Sequence, residues 1–212
     1  MIVGVIDYGL GNVASVAYAI ERLGFSPVMI RSAFELTLAE AFILPGVGNF
    51  SYSMVLLENG GWRQAIQDQV LGLGKPILGI CLGMQLLATS GQEGAEDLPN
   101  NGLGLIDGQV LSLRSLGCSQ RIPHIGWNNV NNVKSSSSDI FRGVPDGTDF
   151  YFVHSYAFVT DNKKHIAATV EYQINFAAAV QSGSIWGVQF HPEKSQRAGL
   201  KLLKNFLECS RC

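Results

Sequence analysis

Cys81 stands in the stretch GICLG (79–83), with one glycine two positions before it and another two positions after. That is the spacing of the G-x-S-x-G turn that lifts a nucleophile out of a sheet, with a thiol in place of the hydroxyl. Glycines permit the tight backbone of such a turn, and a helix opening behind the cysteine favours its thiolate. A thiolate that attacks a carbonyl also needs a base, an acid that orients the base, and N–H donors for the oxyanion. FHPE (190–193) carries the first two, His191 and Glu193, on either side of a stiff Pro192. The peptide N–H of Leu82 follows the cysteine directly. The loop LPGVG (44–48) offers a second donor at Val47, whose peptide is free to turn between Gly46 and Gly48. Taken singly, each feature has a plain reading: a cysteine after an apolar strand packs, a histidine near a turn is satisfied locally, and a Pro-Gly loop is a turn. Their joint occurrence points to covalent catalysis on a carbonyl.

Such residues work only if the fold brings several strand ends together. IVGVID (2–7) reads as a strand, and NVASVAYAIERLGF (12–25) places Val13, Val16, Ala17, Ile20 and Leu23 on one helical face before Gly24 stops it. SPVMI (26–30), EAFILPGVG (40–48, ending as a strand at Pro45) and KPILGI (75–80) are further strands. MVLLENGGWRQAIQDQVLGLG (54–74) is helical on both sides of its Gly-Gly break, and LGMQLLATS (82–90) opens a helix after the cysteine. Strands alternating with helices predict a parallel sheet covered on both faces, with reactive groups at the carboxyl ends of the strands.

From Gly102 onward the pattern changes. GLGLIDGQVLSL, RIPHIGWNNV, TDFYFVHSYAFVT, HIAATVEY, NFAAAVQSG and SIWGVQF are strand-like runs divided by turn residues. They predict antiparallel additions to the sheet, followed by a closing helix, RAGLKLLKNFLE. NNVKSSSSD (131–139) reads as a polar surface loop, too short to separate domains, so the expectation is a single α/β domain over 1–212 with a mixed, mostly parallel sheet.

The bulk numbers agree with a catalytic globular protein. The chain has 212 residues, 47% of them hydrophobic, and a net charge of −2, unlike a disordered chain and without the basic field that nucleic acid requires. The N-terminus lacks a basic leader and cleavage site, and no apolar run reaches the ~18 residues of a membrane span, so a cytoplasmic protein with no membrane partner is expected. Four irregularly spaced cysteines suit a reducing compartment. The pair in CSRC (209–212) is half a metal site at most, and neither metal nor organic cofactor is expected.

At these residues the chain resembles the class I (triad) glutamine amidotransferases. GICLGMQLL matches that family's elbow and FHPE its His-x-Glu. DYGLGN, LPGVG, PHIGWN (123–128) and YFVHSY followed by GVQFHPEKSQ extend the likeness, in order, to the glutaminase subunits that serve imidazole glycerol phosphate formation in histidine biosynthesis. The resemblance implies a three-layer, flavodoxin-like fold in which Cys81 attacks the side-chain amide of glutamine, with His191 and Glu193 completing the triad. It implies an oxyanion hole from Leu82 and, after a peptide rotation on docking, Val47. Substrate contacts would come from Gly48, Gln85 and the backbone of Ser155 and Tyr156. It further implies a separate (β/α)8-barrel cyclase partner that receives the ammonia as a heterodimer, met at His124, Gly126, Trp127, Asn128, Tyr151 and Lys194, with Ser195 and Gln196 beside them. Two other readings share the motifs: a paralogous subunit that supplies ammonia to a surface-sugar amidating partner, and a stand-alone cysteine hydrolase.

Overall fold

The computed structural model describes residues 1–95, 99–132 and 140–210, so most of the NNVKSSSSD stretch and Cys212 lie outside the described residues. β1 (Ile2–Ile6) leads into α1 (Val13–Arg22), which buries Val13, Val16, Ala19 and Ile20. Ala17 and Leu23 are only half-buried; positions 17 and 19 flank the 13–16–20 line, and the packing tilts toward Ala19. β2 (Ser26–Ile30) and β3 (Ala41–Gly46) follow, β3 running one residue past Pro45. α2 (Phe50–Asn59) starts earlier than the apolar pattern suggests. Its first turn is fixed by the Asn49 side chain, which accepts from Tyr52 N–H at 3.0 Å, and by the Glu93 carboxylate, which accepts from Phe50 N–H at 2.8 Å. After the break at Gly61, with φ 67°, come α3 (Trp62–Gln67), β4 (Ile77–Cys81) and α4 (Leu82–Leu86).

The helix after the cysteine is therefore far shorter than expected. The chain leaves it to form β5 (Ala88–Gly91), because Ala88 joins a second sheet. The remaining elements are β6 (Asn100–Asn101), β7 (Ile106–Ser112), β8 (His124–Asn132), β9 (Thr148–His154), β10 (Tyr156–Thr160), β11 (Ile166–Tyr172), β12 (Ile174–Ser182), β13 (Ile185–Val188) and α5 (Gln196–Cys209).

The main sheet has the order β2-β1-β3-β4-β13-β12-β11-β8-β9. Its first five strands are mutually parallel and the last four antiparallel, so β13, from the antiparallel-looking half, completes the parallel part. The other correction is the small sheet β10-β7-β5-β6, which is separate from the main one. The run TDFYFVHSYAFVT is cut at Ser155, its two halves serving different sheets. Three layers result. On one face α1 and α5 pack Val16, Ile20, Leu203 and Phe206 against Val5, Ile43 and Ile80. On the other, Phe50, Trp62 and the small-sheet residues Val110 and Phe158 pack with Phe42, Leu44 and Ile77. No helix among the described residues is long and apolar enough to cross a membrane.

α4 lies unusually close to β3 and β4. A methyl group on Gly79 would sit 2.5 Å from the Gly83 carbonyl oxygen, and one on Gly83 would collide with the Leu44 carbonyl. Backbone cannot yield as a side-chain tip can. Gly83→Ala is therefore expected to destabilise the fold by about 3 kcal/mol, read as a lower midpoint in chemical denaturation; an unchanged midpoint refutes the close-approach argument.

Candidate active site

Parallel pairing of β3, β4 and β13 brings Gly46, Cys81 and the chain entering His191 to the same end of the sheet. Cys81 has φ 55° and ψ −111°, a conformation that non-glycine residues rarely adopt, and this turns its side chain away from the strand. The thiol is nearly buried, 6% exposed. α4 has only five residues, so it contributes first-turn N–H groups that have no acceptor within the helix, Leu82 among them, and little long-range dipole.

His191 Nδ1 donates to Glu193 Oε1 at 2.9 Å, and both side chains are sealed from solvent, 2% and 1% exposed. Since Nδ1 carries that proton, Nε2 is the nitrogen left for the sulfur, and no nitrogen or oxygen among the described residues hydrogen-bonds to it. Burial works against the imidazolium, yet the Cys81 sulfur and the Glu193 carboxylate outweigh it and the ring is pushed up to about 9. The H-P-E turn is pinned from behind. Ser195 Oγ donates to the His191 carbonyl at 2.6 Å and accepts from Tyr151 N–H at 3.0 Å, while His191 N–H donates to the Tyr151 carbonyl at 2.9 Å. Ser195 is thus buried beneath the triad and cannot be a rim contact.

A cavity of about 390 Å3 opens on the thiol, lined by Val47, Gly48, Cys81, Leu82, Gln85, Ser155, Tyr156 and His191. Every expected triad, oxyanion and substrate residue but Glu193, which lies behind His191, borders it. Gly48 has φ 109°, which only glycine adopts without strain. Gln85 differs from expectation in one respect. Its amide nitrogen already donates to the Tyr156 carbonyl and to Gln189 Oε1, each at 3.0 Å, leaving only its oxygen for a ligand.

Three polar residues absent from the sequence reading belong here. Glu93 lines the cavity, and burial raises its carboxyl above the ordinary range, moderated by the Phe50 N–H. Asn12 donates to Glu193 Oε1 at 3.4 Å. Gln189 is fully buried with its amide nitrogen 3.8 Å from Cys81 Sγ. Two of the three had a signal: Asn12 closes the DYGLGN segment, and Gln189 is a polar residue two before His191 in an otherwise apolar run.

The expected docking residues divide by strand alternation. Trp127 faces out at 48% exposure, and so does Ile125 at 59%. His124 is buried, with Nδ1 3.0 Å from His154 Nε2, and Asn128 turns the same way, 3.2 Å from His124 Nε2. His124 therefore offers no outer surface, and Gly126, half-buried with φ 136°, lies on its side of the strand. Burial pushes the His124 imidazole down to about 4 and that of His154 to about 3, so both are neutral. Tyr151 stands edge-on to Trp127, with 6.0 Å between ring centres, and exposed Lys194 sits 5.9 Å over it. Tyr151 is in turn 6.5 Å from the His191 ring, which joins this outer patch to the triad. Gln196 is exposed, on the far side beside Glu193 and Tyr18.

A family model described as "Glutamine amidotransferase class-I" matches residues 4–209. The imidazole glycerol phosphate synthase subunit HisH of Moorella thermoacetica is 44% identical over 99% of this chain and 95% of its own length. The subunit of the same name from Desulfitobacterium hafniense is 43% identical over 96% and 92%. Among solved structures, one described as a glutamine amidotransferase superposes with a TM-score of 0.74 at 20% identity, covering 99% of each chain. PurLQS from Thermotoga maritima gives 0.74 at 21%, over 98% and 97%. The two structures share the fold.

The raised His191 value has a definite sign. Its contribution to stability is complete below the ordinary value of 6.5 and is lost as pH rises through about 9. NMR titration of the wild-type ring is expected to show a midpoint near 9, falling in Glu193→Gln, and the stability gap between the two proteins should narrow over that window. A wild-type midpoint below 6.5 would contradict the assigned geometry.

Proposed function

The chain belongs to the class-I glutamine amidotransferases, and from that premise we propose that it is the glutaminase subunit of an imidazole glycerol phosphate synthase in histidine biosynthesis. The observation that carries the reading is the buried His191–Glu193 pair aimed at a strained, cavity-facing Cys81. The Cys81 thiolate adds to the side-chain amide carbon of glutamine, and the carbonyl electron pair moves to oxygen, met by the N–H of Leu82 and of Val47 once its peptide has turned. His191, as imidazolium, protonates the amide nitrogen; the C–N bond breaks and ammonia leaves. Water then attacks the thioester while His191 takes its proton, the C–S bond breaks, and glutamate departs. Glu93 and the Gln85 oxygen, acceptors on residues that line the cavity, receive the substrate's α-ammonium, and Gly48 with the Ser155–Tyr156 backbone frames the rest.

The products are glutamate and ammonia, and the ammonia passes to a separate cyclase subunit. We take that partner to be a (β/α)8 barrel seated on Trp127, Ile125, Tyr151 and Lys194, the patch that adjoins His191. The proposed setting is the cytoplasm. The ring-to-ring path from Trp127 to His191 gives docking a direct hold on the triad, in keeping with a glutaminase that is slow until its partner binds.

Two experiments test this. Glutamine hydrolysis should rise many-fold when the cyclase subunit is added and disappear in Cys81→Ala; full activity of the isolated chain would favour a stand-alone hydrolase. Gly48→Pro cannot adopt φ 109° and should abolish the stimulated turnover while leaving the fold intact; persistent stimulation would place the switch outside the Val47 peptide.

A further inference from the structure

We propose that Gln189 is a further catalytic residue: its side-chain N–H donates to the Cys81 sulfur, stabilising the thiolate before attack and again as the C–S bond of the thioester breaks. This rests on the glutaminase reading above and adds a group that the triad does not contain. Gln189 is fully buried, and its Nε2 lies 3.8 Å from Sγ. An amide this close could present either its nitrogen or its oxygen, so the inference depends on which way it faces.

The orientation follows from a backbone carbonyl, which can only accept. The Tyr156 carbonyl oxygen lies 3.0 Å from Gln85 Nε2, so Gln85 must turn its nitrogen there. That nitrogen also lies 3.0 Å from the nearer terminal atom of Gln189, which must therefore be the acceptor oxygen. The Gln189 nitrogen is left facing Sγ. Flipping Gln189 would set two donors against each other in a buried site, and flipping Gln85 would set two acceptors together at Tyr156. The carbonyl is held from its other side too, by His154 Nδ1 at 2.8 Å.

The surroundings of the sulfur leave a place for this donor. The Val153 carbonyl lies 3.7 Å from the sulfur and accepts from the thiol, so it supplies no hydrogen to the anion. The buried Tyr8 hydroxyl, His191 and, behind it, Glu193 are titratable groups near Sγ, and Glu93, the neutral His154 and Tyr156 line the same cavity. Of these only His191, when protonated, favours the anion. Gln189 supplies a second donor, and it remains in place after His191 has given its proton to ammonia.

The test is the pH dependence of Cys81 alkylation by iodoacetamide on the full chain, with glutaminase turnover measured in the presence of the cyclase subunit. Gln189→Leu removes the donor, and Gln189→Glu keeps the shape but replaces the amide nitrogen with oxygen. Both should move the alkylation midpoint upward, Glu further than Leu, and lower kcat about tenfold or more with KM little changed. Midpoints and kcat that match wild type overturn the proposal. Should the variants fail to fold, the wild-type protein decides: the Gln189 side-chain amide protons should shift as the thiol ionises, and an unmoved resonance overturns it equally. Cys81→Ala is run alongside, because retained turnover there would condemn the triad reading itself rather than the role of Gln189 alone.

Discussion

The site depends on how closely one short helix can lie against two strands. Gly79 on β4 and Gly83 on α4 face each other with no room for a side chain, and Gly83 also presses on the Leu44 carbonyl of β3. That approach forces the reversal at Cys81, and a residue at φ 55° is the result. Strain of this kind survives only where the surroundings determine it fully. Here they are the fully buried Leu44, Leu78 and Met84. The same contact places the first helical turn, whose N–H groups have no acceptor within the helix, against the end of β3, where the Val47 loop begins. Nucleophile, oxyanion donor and loop are thus positioned by a single packing event.

Burial gives that geometry its chemical effect. His191 and Glu193 are almost without solvent, so their hydrogen bond acts in a medium that screens little. Desolvation alone would discharge the imidazole, as it does for His124 and His154 nearby. The difference is the company each ring keeps: a carboxylate and a sulfur beside His191, other imidazoles and a backbone carbonyl around His154. Burial therefore leaves one histidine charged and two neighbouring ones neutral. The neutral pair holds a strand whose outer face is hydrophobic, and the charged one does the proton transfer.

The parallel half of the fold was legible because each strand–helix unit carries its own signal: the helical face at Val13, Val16 and Ile20, the stop at Gly24, the apolar KPILGI. The elbow was legible for the same reason, as G-x-C-x-G and H-P-E are local patterns. The division of the second half into two sheets was not. TDFYFVHSYAFVT alternates without a break, and only the tertiary pairing of Tyr156 with Ser112 shows that the chain changes sheet at Ser155. Glu93 lies in a polar loop that reads as surface until Phe50 N–H and the cavity claim it. Asn12 closes the local DYGLGN segment, but its partner is a carboxylate 181 residues away, and that pairing no local pattern encodes. His124, Gly126, Trp127 and Asn128 were read as one group, but alternation along β8 divides inner from outer residues.

The place of β13 in the sheet has a consequence for how the molecule comes to exist. It is thirteenth of the strands in chain order, yet it lies between β4 and β12, in the middle of the main sheet. Until it inserts, β4 is an open edge, a row of unpaired peptide groups able to join any passing strand. Gln189, which follows it, is 108 residues beyond Cys81, so this closure is a long-range event. A ribosome-bound or partly folded chain would thus present a thiol on a sticky edge with no base beside it. Insertion of one four-residue strand closes the β4 edge and brings the base to the nucleophile together, so the assembled triad belongs only to molecules whose sheet is complete.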